Sequence, residues 1–150
     1  MRLVIQRVIE ATVSIHNQLY SGIQQGLLVF IGIEEEDHQD DIQYLVSKLL
    51  GLRIFSDAEG KMNLDIRQID GEILLVSQFT LFASTKKGNR PSFIKAAKPD
   101  KAQKLYLEVV NEITRQHLKN CKTGMFGADM KISLVNDGPV TILMDSKNRE

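Results

Sequence analysis

Gly26-Leu27-Leu28-Val29-Phe30-Ile31-Gly32-Ile33 is an uninterrupted apolar run of strand length. Nothing in it alternates with polar residues, so a strand here keeps neither face for water and needs cover on both. One cover lies just downstream. Ile42, Leu45, Val46, Leu49 and Leu50 fall at i, i+3, i+4, i+7 and i+8, the stripe of an amphipathic helix. The acidic run Glu34-Glu35-Glu36-Asp37 precedes it, with Asp37 as the expected N-cap, and Gly51 ends it. A second stripe, Ala102, Leu105, Tyr106, Val109, Val110 and Ile113, follows Pro99, a residue suited to the first helical position.

Strands are expected on either side of these helices. Residues 2–8 and 11–16 alternate apolar and polar and are predicted as two strands, with Asn17-Gln18 as the next turn. Arg53-Ile54-Phe55 reads as a short strand, and Ser56-Asp57-Ala58-Glu59-Gly60 as a turn. After a tight turn at Asp70-Gly71, Glu72 to Phe79 reads as another buried strand. Residues 131–135 and 140–144 are predicted as two strands split by Asn136-Asp137-Gly138-Pro139. Strands before, between and after two long helices predict an α/β domain with mixed β-sheets.

With 150 residues, 43% of them hydrophobic and 25% charged, the chain suits one domain with a core of its own, residues 1–150. No apolar stretch reaches membrane-spanning length, and the first residues lack the pattern of a signal peptide, so no membrane partner is expected. The single cysteine, Cys121, has no internal partner, and the expected compartment is the cytoplasm. The net charge of zero is unevenly spread. Residues 1–75 carry 6 basic and 12 acidic side chains, and residues 76–150 carry 13 and 7. Within 84–104, Lys86, Lys87, Arg90, Lys95, Lys98, Lys101 and Lys104 face one acid, Asp100. Such a strip is either a solvated loop and helix face or a modest patch for a polyanion.

Phosphate-binding loops, dinucleotide fingerprints, nucleophile elbows and two-histidine zinc motifs are absent. His117 and Cys121 stand at i, i+4, which is too few ligands for zinc, and Asp57-Glu59-Gly60 lacks the spacing of a calcium loop. Neither metal nor cofactor is expected. Two segments could carry chemistry. Ser77-Gln78-Phe79-Thr80 places polar groups at the end of a buried strand, where they either bond the backbone or floor a site. Asn136-Asp137-Gly138-Pro139-Val140-Thr141 is a turn between strands, and Gly-Pro also admits a cis peptide and close approach of a ligand.

Together these segments resemble the two signatures of the D-aminoacyl-tRNA deacylase family. The resemblance runs from Met1 to about Asp145. It takes in Arg2-Leu3-Val4-Ile5-Gln6-Arg7-Val8, Lys61-Met62-Asn63-Leu64, Arg90-Pro91-Ser92-Phe93 and Gly124-Met125-Phe126-Gly127-Ala128-Asp129-Met130 in the same order. The resemblance implies a layered, barrel-like arrangement and a homodimer. It implies hydrolysis of the ester of D-aminoacyl-tRNA, and of glycine wrongly attached to alanine tRNA. The Gly138-Pro139 pair of one subunit, cis and oriented by Arg7, would enter the other subunit's pocket. Ser77, Gln78, Phe79 and Thr80 would form the catalytic floor, with Phe126 and Met130 lining the pocket. Lys86, Lys87 and Arg90 would contact the charged tRNA, and DNA is not an expected partner. Asn89 stands where many relatives have a basic residue, which implies a slightly weaker phosphate contact. Arg7 marks the cis, D-specific form against a related animal family with a trans pair.

A rigid pair of carbonyls would bind the substrate ammonium and leave no room for an L side chain, which is selection by exclusion. For the chemical step, none of His16, His38 or His117 lies near Thr80 in sequence, and an unassisted threonine hydroxyl is a poor nucleophile. The expected route uses the ribose 2′-hydroxyl to activate water, with backbone N–H groups near Phe79 and Thr80 as the oxyanion site. Thr80 as a nucleophile and a non-catalytic RNA-binding module are the alternatives.

Overall fold

The computed structural model describes residues 1–117, 119 and 121–149. The apolar run forms β3 (Gly26–Gly32), in the middle of a mixed sheet. On one side it pairs antiparallel with β1 (Arg2–Ile15), and on the other it pairs parallel with β6 (Glu72–Ser77). A parallel pair needs a crossover, and helix α1 (Gln39–Leu50) supplies it, passing a two-stranded ribbon of β4 (Phe55–Ser56) and β5 (Met62–Leu64). The 19-residue helix α2 (Pro99–His117) makes the second crossover, from β6 to its parallel neighbour β7 (Lys122–Thr123). The sheet order is β2-β1-β3-β6-β7, where β2 is Gln18–Ile23, and β8 (Lys131–Asp145) pairs with β1. β2 also packs across onto β6 and β7, so the sheet curls into a nearly closed, barrel-like form.

Burial on both faces follows the register. Leu27, Val29 and Ile31 of β3, with Ile73 and Leu75 of β6, face the core shared with both helices. Leu28, Leu74 and Val76 face a second core inside the curl, with Val8, Ala11 and Val13 of β1. The stripe Ile42, Leu45, Val46, Leu49 and Leu50 is wholly buried, as its spacing requires.

Four details differ from the sequence expectation. Residues 2–8 and 11–16 belong to one strand, β1, with a bulge between Val8 and Glu10. The extra residue slips the alternation by one, so Leu3 and Ile5 face one core and Ala11 and Val13 the other. That slip reads in sequence as a break. The turn after β1 is His16-Asn17, both at positive φ, and Gln18 already belongs to β2. Asp37 is not the N-cap: His38 is, and Asp41 accepts from the His38 N–H at 3.0 Å. Asp37 is buried, and its carboxylate holds the Met1 ammonium at 2.5 Å. The strand expected at 53–55 is Phe55–Ser56.

Candidate functional site

The expected strand Glu72–Phe79 stops at Ser77, and Phe79–Phe82 turns away as a 3₁₀ helix. Gln78 is the hinge. Its N–H donates to Ile31 O at 2.7 Å, continuing the sheet for one bond, and its carbonyl accepts from the Leu81 N–H. The N–H groups of Phe79 and Thr80 lead the turn, before its first internal bond, and so have no partner within it. Two adjacent amides left over in this way can receive an anion where they are open to one. Gly32 lets the turn lie this close to β3. A Cβ there would come within 2.9 Å of the Leu81 Cβ and 3.2 Å of Gln78 O.

Ser77, Gln78 and Phe79 line a cleft of about 590 Å³ together with Phe126 and Met130. Another part of the lining is mostly apolar, with Phe93, Ile94, Ala97 and Pro99 beside the cation Lys98, from the segment that leads into α2 and its first residue. Phe79 is 58% exposed and meets Phe93 edge-to-face at 5.0 Å. Phe126 leans on Tyr106 of α2, and burial pushes the Tyr106 phenol up, so it stays a donor, to Leu75 O at 2.8 Å. Thr80 does not line the cleft. Its Oγ1 receives the Gln78 Nε2 amide at 2.6 Å, a group that cannot take its proton. The wall residues Phe93, Ile94, Ala97 and Pro99 were not among the expected pocket residues, although Phe93 stands in a matched stretch.

Gly138 and Pro139 lie elsewhere. They are exposed, joined by a cis peptide, and line neither this cleft nor the cleft beside α1. The two strands expected at 131–135 and 140–144 are one strand, β8, carrying a wide bulge. Gln6 pairs with Thr141 and Val8 with Asn136, so the single residue Arg7 opposes the four from Asp137 to Val140. Side chains hold the excess loop. Asn136 accepts from the Val140 N–H at 3.0 Å and donates to Val140 O at 3.2 Å, standing in for a ladder partner. Arg7, 7% exposed, donates through Nε to Asp137 O at 3.0 Å and through Nη1 to Ile54 O. The same Nε lies 3.0 Å from the Asp137 carboxylate.

Lys86, Lys87 and Arg90 occupy the exposed tip of a loop pinched shut by paired bonds between Ser84 and Ser92, at 2.8 and 2.9 Å. They do not line the cleft, but Phe93 and Ile94, a few residues on, do. The His117 ring bonds Gly71 O at 2.8 Å, and burial pushes the Cys121 thiol up to about 12, so the pair offers no thiolate to a metal. The Asp57 carboxylate is spent on the Glu59 and Lys61 N–H groups and the Asn63 amide, in an ordinary surface turn. No helix among the described residues is long and apolar enough to cross a membrane.

A curled mixed sheet with two crossover helices opens, at the end of β6, into a cleft lined by Ser77, Gln78 and Phe79. The family model for D-Tyr-tRNA(Tyr) deacylase matches residues 4–145, and the chain belongs to that family of hydrolases. It is 59% identical over 150 residues to the D-aminoacyl-tRNA deacylase of Azobacteroides pseudotrichonymphae genomovar. CFP2, and 55% identical to that of Flavobacterium johnsoniae; each alignment covers 100% of both chains. Among solved structures it is similar to a c-Myc DNA Unwinding Element Binding Protein, with a TM-score of 0.92, 37% identity and 97% and 98% of the two chains covered. A probable eukaryotic D-amino acid tRNA deacylase, 18% identical with a TM-score of 0.81 over 95% and 97% of the chains, shares the fold.

Proposed function

We propose that this protein hydrolyses the ester between a D-amino acid, or glycine, and the 3′ end of its tRNA, acting as a homodimer in the cytoplasm. The observation that carries the reading is the split site. A cleft floored by Ser77, Gln78 and Phe79 lies in one place, and a Gly138-Pro139 loop clamped by Asn136, lining neither of the two clefts described, lies in another. A second copy would bring the two together. The carbonyls of Gly138 and Pro139 would then hold the substrate ammonium and close the space an L side chain needs. A D side chain would project to solvent and glycine would have nothing to clash, which accounts for one pocket serving many substrates.

For the chemistry, the amides of Phe79 and Thr80 would receive the developing oxyanion. Thr80 has an amide neighbour in place of a base, so its hydroxyl lacks activation, which favours the ribose 2′-hydroxyl as the group that orients and activates water. Lys86, Lys87 and Arg90 would hold phosphates near the rim. Incubation with D-Tyr-tRNA and L-Tyr-tRNA tests the reading: release of only the D-amino acid is expected, and equal release, or gel shifts of both without release, would refute it. Raising salt should weaken tRNA affinity while the D-over-L preference persists.

A further inference from the structure

We propose that a second cleft, between α1 and the paired ends of β1 and β8, binds phosphodiester groups of the tRNA backbone. The proposal rests on tRNA being the substrate and adds a contact surface outside the Lys86–Lys104 strip. The cleft measures about 500 Å³, large enough for a nucleotide, and among the described residues its charged lining is Arg2, Lys48, Arg149 and Asp145. Three cations thus face one carboxylate. That carboxylate is already engaged: one oxygen accepts from Arg2 Nε at 2.8 Å, the other from the N–H groups of Lys147 and Asn148. Lys48 and Arg149 pair with no carboxylate among the described residues.

Their positions are held. The Arg149 guanidinium lies 4.0 Å over the Tyr44 ring and donates to Ser146 O, while the Lys48 ammonium stands 5.9 Å from the same ring. Both cations line the cleft close to the same ring, and an anion bound in it would offset their mutual repulsion. Leu143, 69% exposed, supplies an apolar patch on the β8 side. The cleft also touches the reaction floor. Arg2 Nη1 donates to Leu81 O at 3.0 Å, in the same 3₁₀ turn whose first residue, Phe79, lines the first cleft. A chain with its 3′ ester at Phe79 and Thr80 therefore has a cationic path for preceding phosphates on the far side of that turn.

The experiment measures Kd for uncharged tRNA by filter binding over a range of KCl, with the full chain and the K48E/R149E variant. At low salt the variant should bind about tenfold more weakly, and its log Kd against log salt should be shallower by about two phosphate equivalents. An unchanged Kd and slope would overturn the proposal. So would a lost dimer, seen by sedimentation, with tRNA affinity per dimer intact, because the cleft would then seat a second copy. A neutral K48Q/R149Q variant should shift the same way by less, and it decides the matter if charge reversal impairs folding. The parent reading fails separately. Wild-type protein that binds tRNA through this cleft but releases no D-amino acid from D-aminoacyl-tRNA leaves the subsite standing and removes the hydrolase assignment.

Discussion

The floor at Ser77–Leu81 and the bulge at Asp137–Val140 are both short irregular segments at the ends of paired strands, yet different forces shape them. The floor is held by packing. β6 runs buried on both faces, Gln78 bonds Ile31, and the turn folds onto a glycine that leaves it no slack. The bulge is exposed and buries little; polar side chains, Asn136 from within and Arg7 from across the ladder, fix its shape. A region built on packing tolerates loss of a hydroxyl and resents added volume. A region built on hydrogen bonds responds in the opposite way. Each prediction below probes one side of that contrast.

The largest effect is expected from Arg7→Ala. It leaves the buried Ile54 O and the half-buried Asp137 O without their donor, at a cost on the order of 3 kcal/mol, visible as a lower thermal midpoint. D-Tyr-tRNA hydrolysis should fall about a hundredfold, roughly 2.7 kcal/mol in barrier terms, with L-Tyr-tRNA release rising relative to D. Wild-type discrimination in this variant would show that the bulge holds its shape unaided.

Gly32→Ala comes next. The added methyl meets the Leu81 Cβ and Gln78 O, so the turn must move. Overpacking of this kind costs about 1–3 kcal/mol. Single-turnover kinetics should show kcat falling about tenfold or more with tRNA affinity little changed. Full activity would mean that the leading amides need no exact placement.

Asn136→Ala removes the partner of both the Val140 N–H and its carbonyl, costing about 1–3 kcal/mol if water does not replace it. Selectivity between D- and L-Tyr-tRNA should narrow more than kcat falls. Asn136→Asp keeps the acceptor and loses the donor, so its selectivity should fall between those of Ala and wild type.

Thr80→Ala should have the smallest effect, within about threefold of wild-type turnover, because in the proposed route the amide, not the hydroxyl, is the working group. Mass spectrometry that trapped an acyl group on Thr80 would reverse this assignment.

The fold was legible wherever periodicity is local. The run 26–33 and the two helical stripes predict buried strand and covering helices, and all three form. What sequence reading missed has a common cause. A bulge at Ile9 and a wide bulge at 137–140 interrupt alternation without ending a strand, so β1 and β8 each read as two. Asp37 has the composition of a cap, but a buried ammonium 36 positions away claims it. The floor and loop were recognisable from Ser77-Gln78-Phe79-Thr80 and Asn136–Thr141, whereas the wall from Phe93 to Pro99 carries no motif of its own.

Residue order by itself determined the buried strand β3 and the two helices, because burial on one face or two is written in spacing; the short strands β2, β5 and β7 and the 3₁₀ turn at Phe79 left no such pattern. It also determined the family, because several short motifs recur in register. The tertiary structure alone decided that Thr80 faces an amide rather than a base and that Gly138-Pro139 stands apart from the floor. It alone gathered Arg2, Lys48 and Arg149, from an acidic half and a far terminus, into one cationic cleft. Those relations depend on distance in space, and sheet register, which brings remote residues side by side, has no local signature in the chain.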